Sequence, residues 1–378
     1  MTEKKTIKNK DVVTTGFEGI VVSKNKTIKK KEFSILDLKK KVETVTAYKD
    51  EYIPFSFAVQ DAIRLKGLPT GHIHQIIGHP NTGKSSLLFE VGVSAQKQGI
   101  LPIFLITENK FDWGHLELLG FDRGEEVDQD ENGNPIYGGH YLYIDGFFNI
   151  EDIFLKINKI LDLQEKEEIP YDIIFLIDSF GSLPSKMSSI IKEDGSQKGS
   201  NMNEATVYSG HLKGLKSRIG MSRKKDSKFT NTVLIVNQSY IAPAMTPIGK
   251  PKIVPRGGTS LVYSSTYIFR CGGIIDSGVS KETCIVGGKK VVVGYSTKIA
   301  IEKNHEDYFT ISEERIFLCP HGFLKLDKSE IERYKIKMRP LWEERLKEID
   351  SLNEGLEVDE ETGEILSKKI TQPIKAEL

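Results

Sequence analysis

The stretch Gly78-His79-Pro80-Asn81-Thr82-Gly83-Lys84-Ser85 decides how the rest of the sequence is interpreted. It fits the pattern GxxxxGK[ST] at every defined position. The apolar-leaning run His74-Gln75-Ile76-Ile77 before it predicts a strand, and Ser86 to Lys97 after it predicts an amphipathic helix. A strand, a glycine loop and a helix in this order form a phosphate site, because the loop's N–H groups and the helix N-terminus face the phosphates. We therefore expect a nucleoside triphosphate site; the competing interpretation is a chance Gly-Lys-Ser in a turn.

An acidic residue after a second apolar run offers a partner for this loop. The run Ile173-Ile174-Phe175-Leu176-Ile177 ends in Asp178 and predicts a buried strand. At the carboxyl edge of a sheet, Asp178 would hold Mg²⁺ through water, Ser85 would ligate the same ion, and Lys84 would neutralise phosphate charge. The residues expected around the phosphates are Gly78, Pro80, Asn81, Thr82, Gly83, Lys84, Ser85 and Ser86.

Polar side chains end two further apolar runs. Glu108 follows the run that begins at Pro102, and Gln238 follows the run that begins at Val233. At the sheet edge, Glu108 would face the γ-phosphate and orient a water molecule as the base. The alternative is a strand-end glutamate that faces solvent. The Gln238 amide would hydrogen-bond a γ-phosphate oxygen and report its presence to the loop that follows, unless it only caps the strand.

Composition limits the class of protein. The chain has 378 residues, 38% of them hydrophobic and 28% charged, which fits a globular protein with one large domain or two. With 53 basic and 53 acidic residues, no overall positive field points to a nucleic-acid partner, although a local stripe is sufficient for one. The three cysteines lack metal-ligand spacing and indicate reduced thiols. No apolar leader or membrane-length stretch is present, so we expect a cytoplasmic protein.

Strand and helix patterns alternate after Ile76. Short, continuous apolar runs at Pro102–Ile106, Tyr141–Ile144, Ile173–Ile177 and Val233–Val236 are typical of strands buried on both faces of a parallel sheet. Helical patterns cover 85–97, 113–119, 150–166 and 203–219. This order predicts an α/β fold with a mostly parallel, doubly wound sheet. Residues 123–140 predict an exposed hairpin or loop, 286–311 predict antiparallel strands, and Leu326 to Ile349 predict one or two helices.

An ordered set of motifs resembles the RecA-type recombinases over residues ~50–320. It comprises Phe57 to Gly99 with the glycine loop, Thr107-Glu108-Asn109, Leu176-Ile177-Asp178-Ser179, Asn237-Gln238, Gly257 to Leu261 and Lys298 to His305. The basic N-terminal arm and acidic tail are most similar to a phage UvsX-type recombinase. The resemblance implies four segments: 1–49, an arm and helix for subunit contact; 50–320, a RecA-like ATPase and DNA-binding core; 321–353, a C-terminal helical region; and 354–378, an acidic, disordered tail.

The resemblance also implies roles for individual residues. Glu108 takes the position of the catalytic glutamate, and Gln238 that of the γ-phosphate sensor. Asp112 and His115 fall where the family contacts and stacks adenine, with Trp113 as a competing stacking residue. Lys303 and His305 match two basic residues that reach the ATP of the neighbouring subunit. His305 departs from the usual lysine or arginine, and it carries only partial charge at neutral pH.

Two long segments, 185–203 and 240–256, match the family's DNA-binding loops. Glycine, serine and lysine in such loops follow a phosphate chain without reading the base sequence. The residues expected to contact DNA are Lys186, Lys192 and Lys198 in the first loop and Tyr240, Met245, Lys250, Lys252 and Arg256 in the second. Without the resemblance, the same residues are equally consistent with solvated surface loops.

The expected function is that of an ATP-dependent DNA recombinase. ATP and Mg²⁺ would be its cofactors, and its partners would be single-stranded DNA, double-stranded DNA and further copies of the chain in a helical filament with ATP between subunits. A single-strand-binding protein and a loader protein are further expected partners. Two alternatives remain open: a ring-shaped helicase of the same fold, and a mediator that has lost hydrolysis. Intact Lys84, Ser85, Glu108 and Asp178 argue against the mediator.

Overall fold

The computed structural model describes residues 47–108, 111–131, 133–186, 201–242, 252–255, 259–274, 277–305, 313–354, 356–358 and 365–368. All of them belong to the compact unit Ala47–Leu378. The described strands are β1 Tyr52–Pro54, β2 Gly67–Pro69, β3 Ile73–Gly78, β4 Leu101–Ile106, β5 Glu126–Gln129, β6 Pro135–Tyr137, β7 Leu142–Ile144, β8 Ile173–Asp178, β9 Asn231–Ala242, β10 Lys252–Pro255, β11 Tyr267–Cys271, β12 Ser280–Val286, β13 Lys289–Asn304, β14 Glu314–Cys319, β15 Gly322–Lys325, β16 Leu356–Val358 and β17 Ile365–Lys368. The described α-helices are α1 Phe57–Ile63, α2 Lys84–Lys97, α3 Trp113–Leu118, α4 Ile150–Glu165, α5 Asn201–Ser222, α6 Thr259–Ser264 and α7 Lys328–Glu354.

The central sheet is mixed and mostly parallel. Its strands follow the order β15-β14-β13-β11-β3-β9-β8-β4-β7, while β10 pairs with β9 and β12 pairs with β13. Six neighbouring strands, from β11 to β7 in that order, are parallel. Strands β13, β14 and β15 continue the sheet in antiparallel fashion. The predicted α/β class with a mostly parallel sheet is therefore confirmed.

The core lies on both faces of this sheet. Phe104 and Leu176 belong to the apolar cluster that includes α1 and α2, whereas Ile103 and Phe175 belong to the cluster that includes α4 and α5. All four side chains are fully buried. Burial on both faces explains why the strand sequences are continuously apolar. Each such side chain contributes about 1.5–3 kcal/mol relative to an exposed one.

Most predicted elements are present with bounds that differ by a few residues. The strands predicted before Glu108, Asp178 and Gln238 are β4, β8 and β9, and the helix predicted after the glycine loop is α2. The segment 123–140 contains the exposed antiparallel hairpin β5–β6. Within the segment 286–311, predicted as antiparallel strands, β13 runs as one strand and pairs with β12 across a turn at Gly287-Gly288. Residues 306–311 of that prediction lie outside the described residues.

The prediction of one or two helices over Leu326 to Ile349 is confirmed, since one helix, α7, covers this segment with Pro340 inside it, and β14 and β15 precede it.

Two expectations need correction. The segment 240–256 was expected to be a loop, but residues 239–242 pair with β10 in an antiparallel hairpin. Within the tail expected to be disordered, β16 pairs with β17. β-Branched and aromatic residues in these segments favour such pairing even where glycine, proline or charge favours irregular structure.

Candidate nucleotide-binding site

Three parallel strands, β3, β4 and β8, end at one edge of the sheet, and β9 passes the same edge at Gln238. A cavity of about 570 Å³ opens at this edge, where the predicted site residues come together. This is the edge at which doubly wound sheets bind ligands. The lining residues are Gly78, Pro80, Asn81, Lys84, Ser85, Ser86, Phe89, Ile106, Glu108, Phe111, Asp112, His115, Asp178, Ser179, Val236, Gln238 and Ser239.

The glycine loop adopts positive φ angles at positions where its sequence has glycine or asparagine. Gly78, Asn81 and Gly83 have φ angles of 147°, 59° and 98°, in the region that disfavours most side chains. A Cβ at Gly78 would collide with the carbonyl oxygen of Cys271, so the close approach of β11 requires glycine there. Gly83 precedes α2 directly. The first N–H groups of that helix have no intrahelical partner, and they are directed toward the loop.

Lys84 and Asp178 provide opposite charges in a site that excludes much of the solvent. Burial lowers the pKa of Lys84, and the nearby Asp178 and Glu108 carboxylates partly oppose this. Burial raises the pKa of Asp178, while a hydrogen bond with Ser85 opposes the rise. The Lys84 Nζ donates to the His79 carbonyl oxygen at 2.6 Å. A phosphate group at this position would provide the negative charge that a desolvated ammonium requires.

The same residues suit a magnesium ion. The Ser85 hydroxyl and the Asp178 carboxylate both line the cavity, and Ser85 opposes the rise in the pKa of Asp178, so two oxygen donors face the same space. Among the described residues there is no group of three or more His, Cys, Asp or Glu side chains that could hold a metal. Magnesium commonly uses only one or two protein oxygens and completes its shell with water and phosphate, so this donor set fits Mg²⁺.

Glu108 and Gln238 meet at the inner wall of the cavity. The Gln238 Nε2 donates to the Glu108 Oε1 at 3.2 Å, and the Ser179 Oγ donates to the same oxygen at 2.7 Å. Ser179 is 2% exposed, and its preceding peptide bond to Asp178 is cis. Sequence reasoning placed Glu108 and Gln238 at the edge but missed Ser179. Its position directly after Asp178 is the only sequence signal that could have indicated it.

The other end of the cavity is aromatic. Phe89 and Phe111 pack edge to face, with ring centroids 5.2 Å apart, and the His115 ring lies 5.9 Å from Phe89. Burial lowers the pKa of His115. The Asp112 carboxylate accepts from the His115 N–H at 3.0 Å and thereby caps α3. The neutral, partly buried imidazole and the phenylalanine rings suit a planar heterocycle. Sequence reasoning missed both phenylalanines, since Phe89 follows the spacing of ordinary core residues in a helix.

Trp113 does not line this cavity. It packs against Phe111, with centroids 4.7 Å apart, and against Tyr141 and Tyr143. The Arg123 guanidinium lies 4.3 Å from the Trp113 ring centroid. Because the indole packs among these side chains and is not among the lining residues, the cavity offers no support for Trp113 as the stacking residue.

Lys303 and His305 lie away from this cavity, beyond the end of α6. The Lys303 Nζ donates to the carbonyl oxygens of Val262 and Ser265 at 2.5 and 2.6 Å. Burial, followed by the charge of Lys216, lowers the pKa of Lys303. His305 is exposed, and the positive charge of Lys303 is the main cause of its lowered pKa. Neither residue lines the cavity.

The residues expected to contact DNA are only partly described. The Lys186 ammonium pairs with Asp152 at 3.2 Å. Lys192, Lys198, Met245, Lys250 and Arg256 lie outside the described residues. The backbones of Tyr240 and Lys252 belong to the β9–β10 hairpin, where Tyr240 pairs with Val254 and Lys252 with Ala242. The hairpin continues directly from Gln238, so the second segment is covalently connected to the cavity wall.

Within the described ranges, no helix combines the length and the apolar character needed to cross a bilayer.

Comparison with curated proteins finds RecA proteins. RecA of Francisella philomiragia is 28% identical over 263 residues, which are 68% of this chain and 60% of that protein. RecA of Aquifex pyrophilus is 26% identical over 70% of this chain and 63% of that protein, and RecA of Mesoplasma florum is 24% identical over 65% and 63%. The chain thus spans 60–63% of the length of these relatives. No protein-family model matches the sequence. The matches support a RecA-type recombinase family, and they do not single out the phage UvsX-type subclass.

Proposed function

We propose that this RecA-type chain is an ATP-dependent DNA recombinase that forms filaments on single-stranded DNA and promotes homologous pairing and strand exchange. One observation carries the proposal. A desolvated lysine, two carboxylates and an amide converge on one cavity, and the strand that carries the amide continues into the segment expected to contact DNA. ATP hydrolysis and DNA contact are therefore separated by only a few residues of β9.

The proposed chemistry assigns one task to each side chain at the phosphates. Lys84 and the N–H groups at the start of α2 bind the β- and γ-phosphates. Ser85 and Asp178 hold Mg²⁺, which neutralises charge on the phosphate oxygens when it is bound. Glu108 orients the attacking water and accepts its proton. At the aromatic end, Phe89, Phe111 and His115 surround the base.

Gln238 connects this chemistry to DNA. Its amide contacts Glu108, and a γ-phosphate in the cavity offers the amide a charged acceptor, which forms a stronger hydrogen bond than a neutral one. A turn of Gln238 toward that phosphate would shift the start of the β9–β10 hairpin. In the proposal, the segments 185–203 and 240–256 bind the DNA backbone through lysine, arginine and N–H groups, which makes binding independent of base sequence.

Subunit contacts complete the proposed site. Lys303 and His305 do not line the cavity beside their own glycine loop, and the Lys303 ammonium contacts the carbonyl oxygens of Val262 and Ser265 instead, so we assign both residues to the ATP of a neighbouring subunit. Within the same proposal, residues 1–49 contribute to subunit contact, 50–320 form the ATPase and DNA-binding core, 321–353 form the C-terminal helical region, and 354–378 form an acidic tail. The UvsX-type subclass and contacts with a single-strand-binding protein or a loader protein also belong to the proposal.

A strand-exchange reaction tests this function. Circular single-stranded DNA and homologous linear duplex are incubated with the full chain, ATP and Mg²⁺, and nicked circular product is measured on a gel. We expect product with homologous duplex and none with heterologous duplex or with Lys84→Ala. Duplex unwinding without homology would instead indicate a helicase, and DNA binding without ATP turnover would indicate a mediator.

A further inference from the structure

Two donors from different strands share one oxygen of Glu108. The Ser179 Oγ lies 2.7 Å from Glu108 Oε1, and the Gln238 Nε2 lies 3.2 Å from it. Glu108 follows β4, Ser179 follows β8 and Gln238 belongs to β9, so the contact joins three neighbouring strands at the cavity edge. Because both bonds fall on Oε1, the carboxylate is oriented by them as a unit.

The two donors differ in how firmly they are held. Ser179 is 2% exposed, its N–H donates to Thr107 Oγ1 at 2.9 Å, and Thr107 directly precedes Glu108. The Thr107 N–H in turn donates to the Asp178 carbonyl oxygen at 2.9 Å. The ends of β4 and β8 are therefore fixed to each other directly before the Ser179–Glu108 contact. Gln238 is half-buried and continues into the hairpin, so it has more freedom to turn.

We propose that Ser179 is a positioning residue that holds the Glu108 carboxylate in place for the attacking water while Gln238 exchanges Glu108 for the γ-phosphate. The inference rests on the proposed ATPase function and adds a residue to it. A hydroxyl that donates to a carboxylate forms a short, charge-assisted hydrogen bond. With Oε1 held by Ser179, Oε2 is the oxygen assigned to the water. Loss of this orientation reduces turnover without removing any phosphate contact, since misplacement of a catalytic group by about 1 Å is enough to slow a reaction about 100-fold.

The Ser179 hydroxyl also has a plain structural role, because a buried hydroxyl needs an acceptor. Ser182 provides a matched control for that role. Its Oγ contacts Thr107 Oγ1 at 2.5 Å and the Ser179 carbonyl oxygen at 2.8 Å, and neither bond is to Glu108. Removal of either hydroxyl disturbs the same corner of the fold, but only Ser179→Ala removes a donor from the carboxylate.

The experiment measures steady-state ATP hydrolysis with saturating single-stranded DNA for wild type, Ser179→Ala and Ser182→Ala. We expect Ser179→Ala to lower kcat by about tenfold or more, with KM and the Kd for a fluorescent ATP analogue within about twofold of wild type. Ser182→Ala should keep kcat within about twofold. Equal kcat values for the two variants, or a change confined to KM, would overturn the positioning role.

A second pair of variants covers the case in which Ser179→Ala does not fold. Ser179→Thr and Ser179→Val have nearly the same shape and differ in the hydroxyl, so their ratio of kcat values isolates the donor. We expect the kcat of Ser179→Thr to exceed that of Ser179→Val by about tenfold, and equal kcat values would overturn the inference. If the wild-type chain hydrolyses ATP and the Ser179 variants have the same kcat as wild type, the result contradicts this inference alone. A wild-type chain without DNA-stimulated hydrolysis contradicts the proposed function and the inference together.

Discussion

The Gln238 amide donates a hydrogen bond to the Glu108 carboxylate at 3.2 Å, although their strands are separated by β8 in the sheet. The contact spans 130 positions of sequence. It places the residue proposed to orient water beside the residue proposed to sense the γ-phosphate. This contact gives a physical basis for the proposed coupling between ATP and the hairpin, because Gln238 cannot turn toward a phosphate without leaving Glu108.

The first prediction concerns turnover. Lys84→Ala should lower ATP hydrolysis by at least about 100-fold, because the phosphates lose their buried cation. Glu108→Gln should retain nucleotide binding and lose at least about 100-fold in kcat, because an amide accepts no proton from water. Phosphate release and analogue binding measure the two effects. Lys97→Ala, at the other end of α2, is the matched control and should behave as wild type. Normal turnover in Glu108→Gln would place the base elsewhere.

The second prediction concerns pH and the helix that begins with the glycine loop. Glu90, in α2, is buried, and its Oε1 accepts from the Phe323 N–H at 2.7 Å. Burial raises the pKa of Glu90 to about 7. The folded state therefore binds the Glu90 proton more tightly than the unfolded state does. The stabilisation that this proton provides is fully present below the unfolded pKa of about 4.5 and is lost as pH rises through the folded pKa of about 7.

Glu90→Gln tests this, because glutamine keeps the acceptor for Phe323 and stays neutral. The variant's free energy of unfolding, relative to wild type, should increase from pH 5 to pH 7.5 by on the order of 3 kcal/mol at most, and change little above that. Urea unfolding at a series of pH values measures it. Glu343→Gln, at an exposed position of α7, should show no such trend. If the free energy of unfolding depends on pH in the same way for wild type and Glu90→Gln, ionisation of Glu90 does not destabilise the folded state.

Site residues could be predicted from the sequence where the geometry of strands and loops fixes their place in the fold. The glycine loop pattern specified Lys84 and Ser85, because a strand, this loop and a helix leave few alternatives. Asp178, Glu108 and Gln238 could be placed together because parallel strands end at the same edge. The order of the strands was not needed for that inference.

Contacts between distant side chains could not be predicted in the same way. The Ser179–Glu108 bond joins residues 71 positions apart and depends on the rotamers of both. The direction of Trp113 depends on Arg123, which also lies 3.8 Å from the Tyr137 ring centroid in the β5–β6 hairpin. The pairing of residues 239–242 with β10 was missed because proline and glycine in that segment favour a loop, whereas cross-strand pairing overrides local preference.

The third prediction concerns DNA affinity. If the second segment holds the DNA backbone, the logarithm of affinity should fall steeply with the logarithm of salt concentration and show little preference for base sequence. Replacement of Lys250, Lys252 and Arg256 by alanine should weaken binding and reduce the slope by about 2, since three phosphate contacts are lost. Fluorescence anisotropy with a labelled oligonucleotide over a series of salt concentrations measures both.

A triple variant on α4 is the control for that experiment. Lys156, Lys159 and Lys166 are exposed and lie on or next to this helix, away from the cavity. Their replacement changes the net charge by the same amount and should leave the slope unchanged. If the two triple variants have equal slopes, the second segment touches no phosphate.

The fourth prediction concerns a site shared between subunits. Lys303→Ala should bind ATP as a monomer and fail in DNA-stimulated hydrolysis, because its ammonium acts on the neighbour's γ-phosphate. His305→Lys should strengthen ATP-dependent assembly mainly at neutral and higher pH, where His305 with its lowered pKa is uncharged. Light scattering at a series of pH values follows assembly.

Mixing inactive variants tests the shared site itself. A filament of Lys303→Ala and Lys84→Ala contains some interfaces where one subunit's intact Lys84 meets the other's intact Lys303. ATP hydrolysis should therefore partly return in the mixture. No recovery at any ratio, with both variants shown to co-assemble, would mean that each site is built from one subunit.

Electron microscopy with single-stranded DNA is the most direct test of the central claim. The full chain is mixed with DNA, Mg²⁺ and a slowly hydrolysed ATP analogue, and Lys84→Ala serves as the control. The account predicts helical filaments along the DNA for wild type and none for Lys84→Ala. Closed rings, or the absence of any DNA-dependent assembly by the wild-type chain, would contradict it.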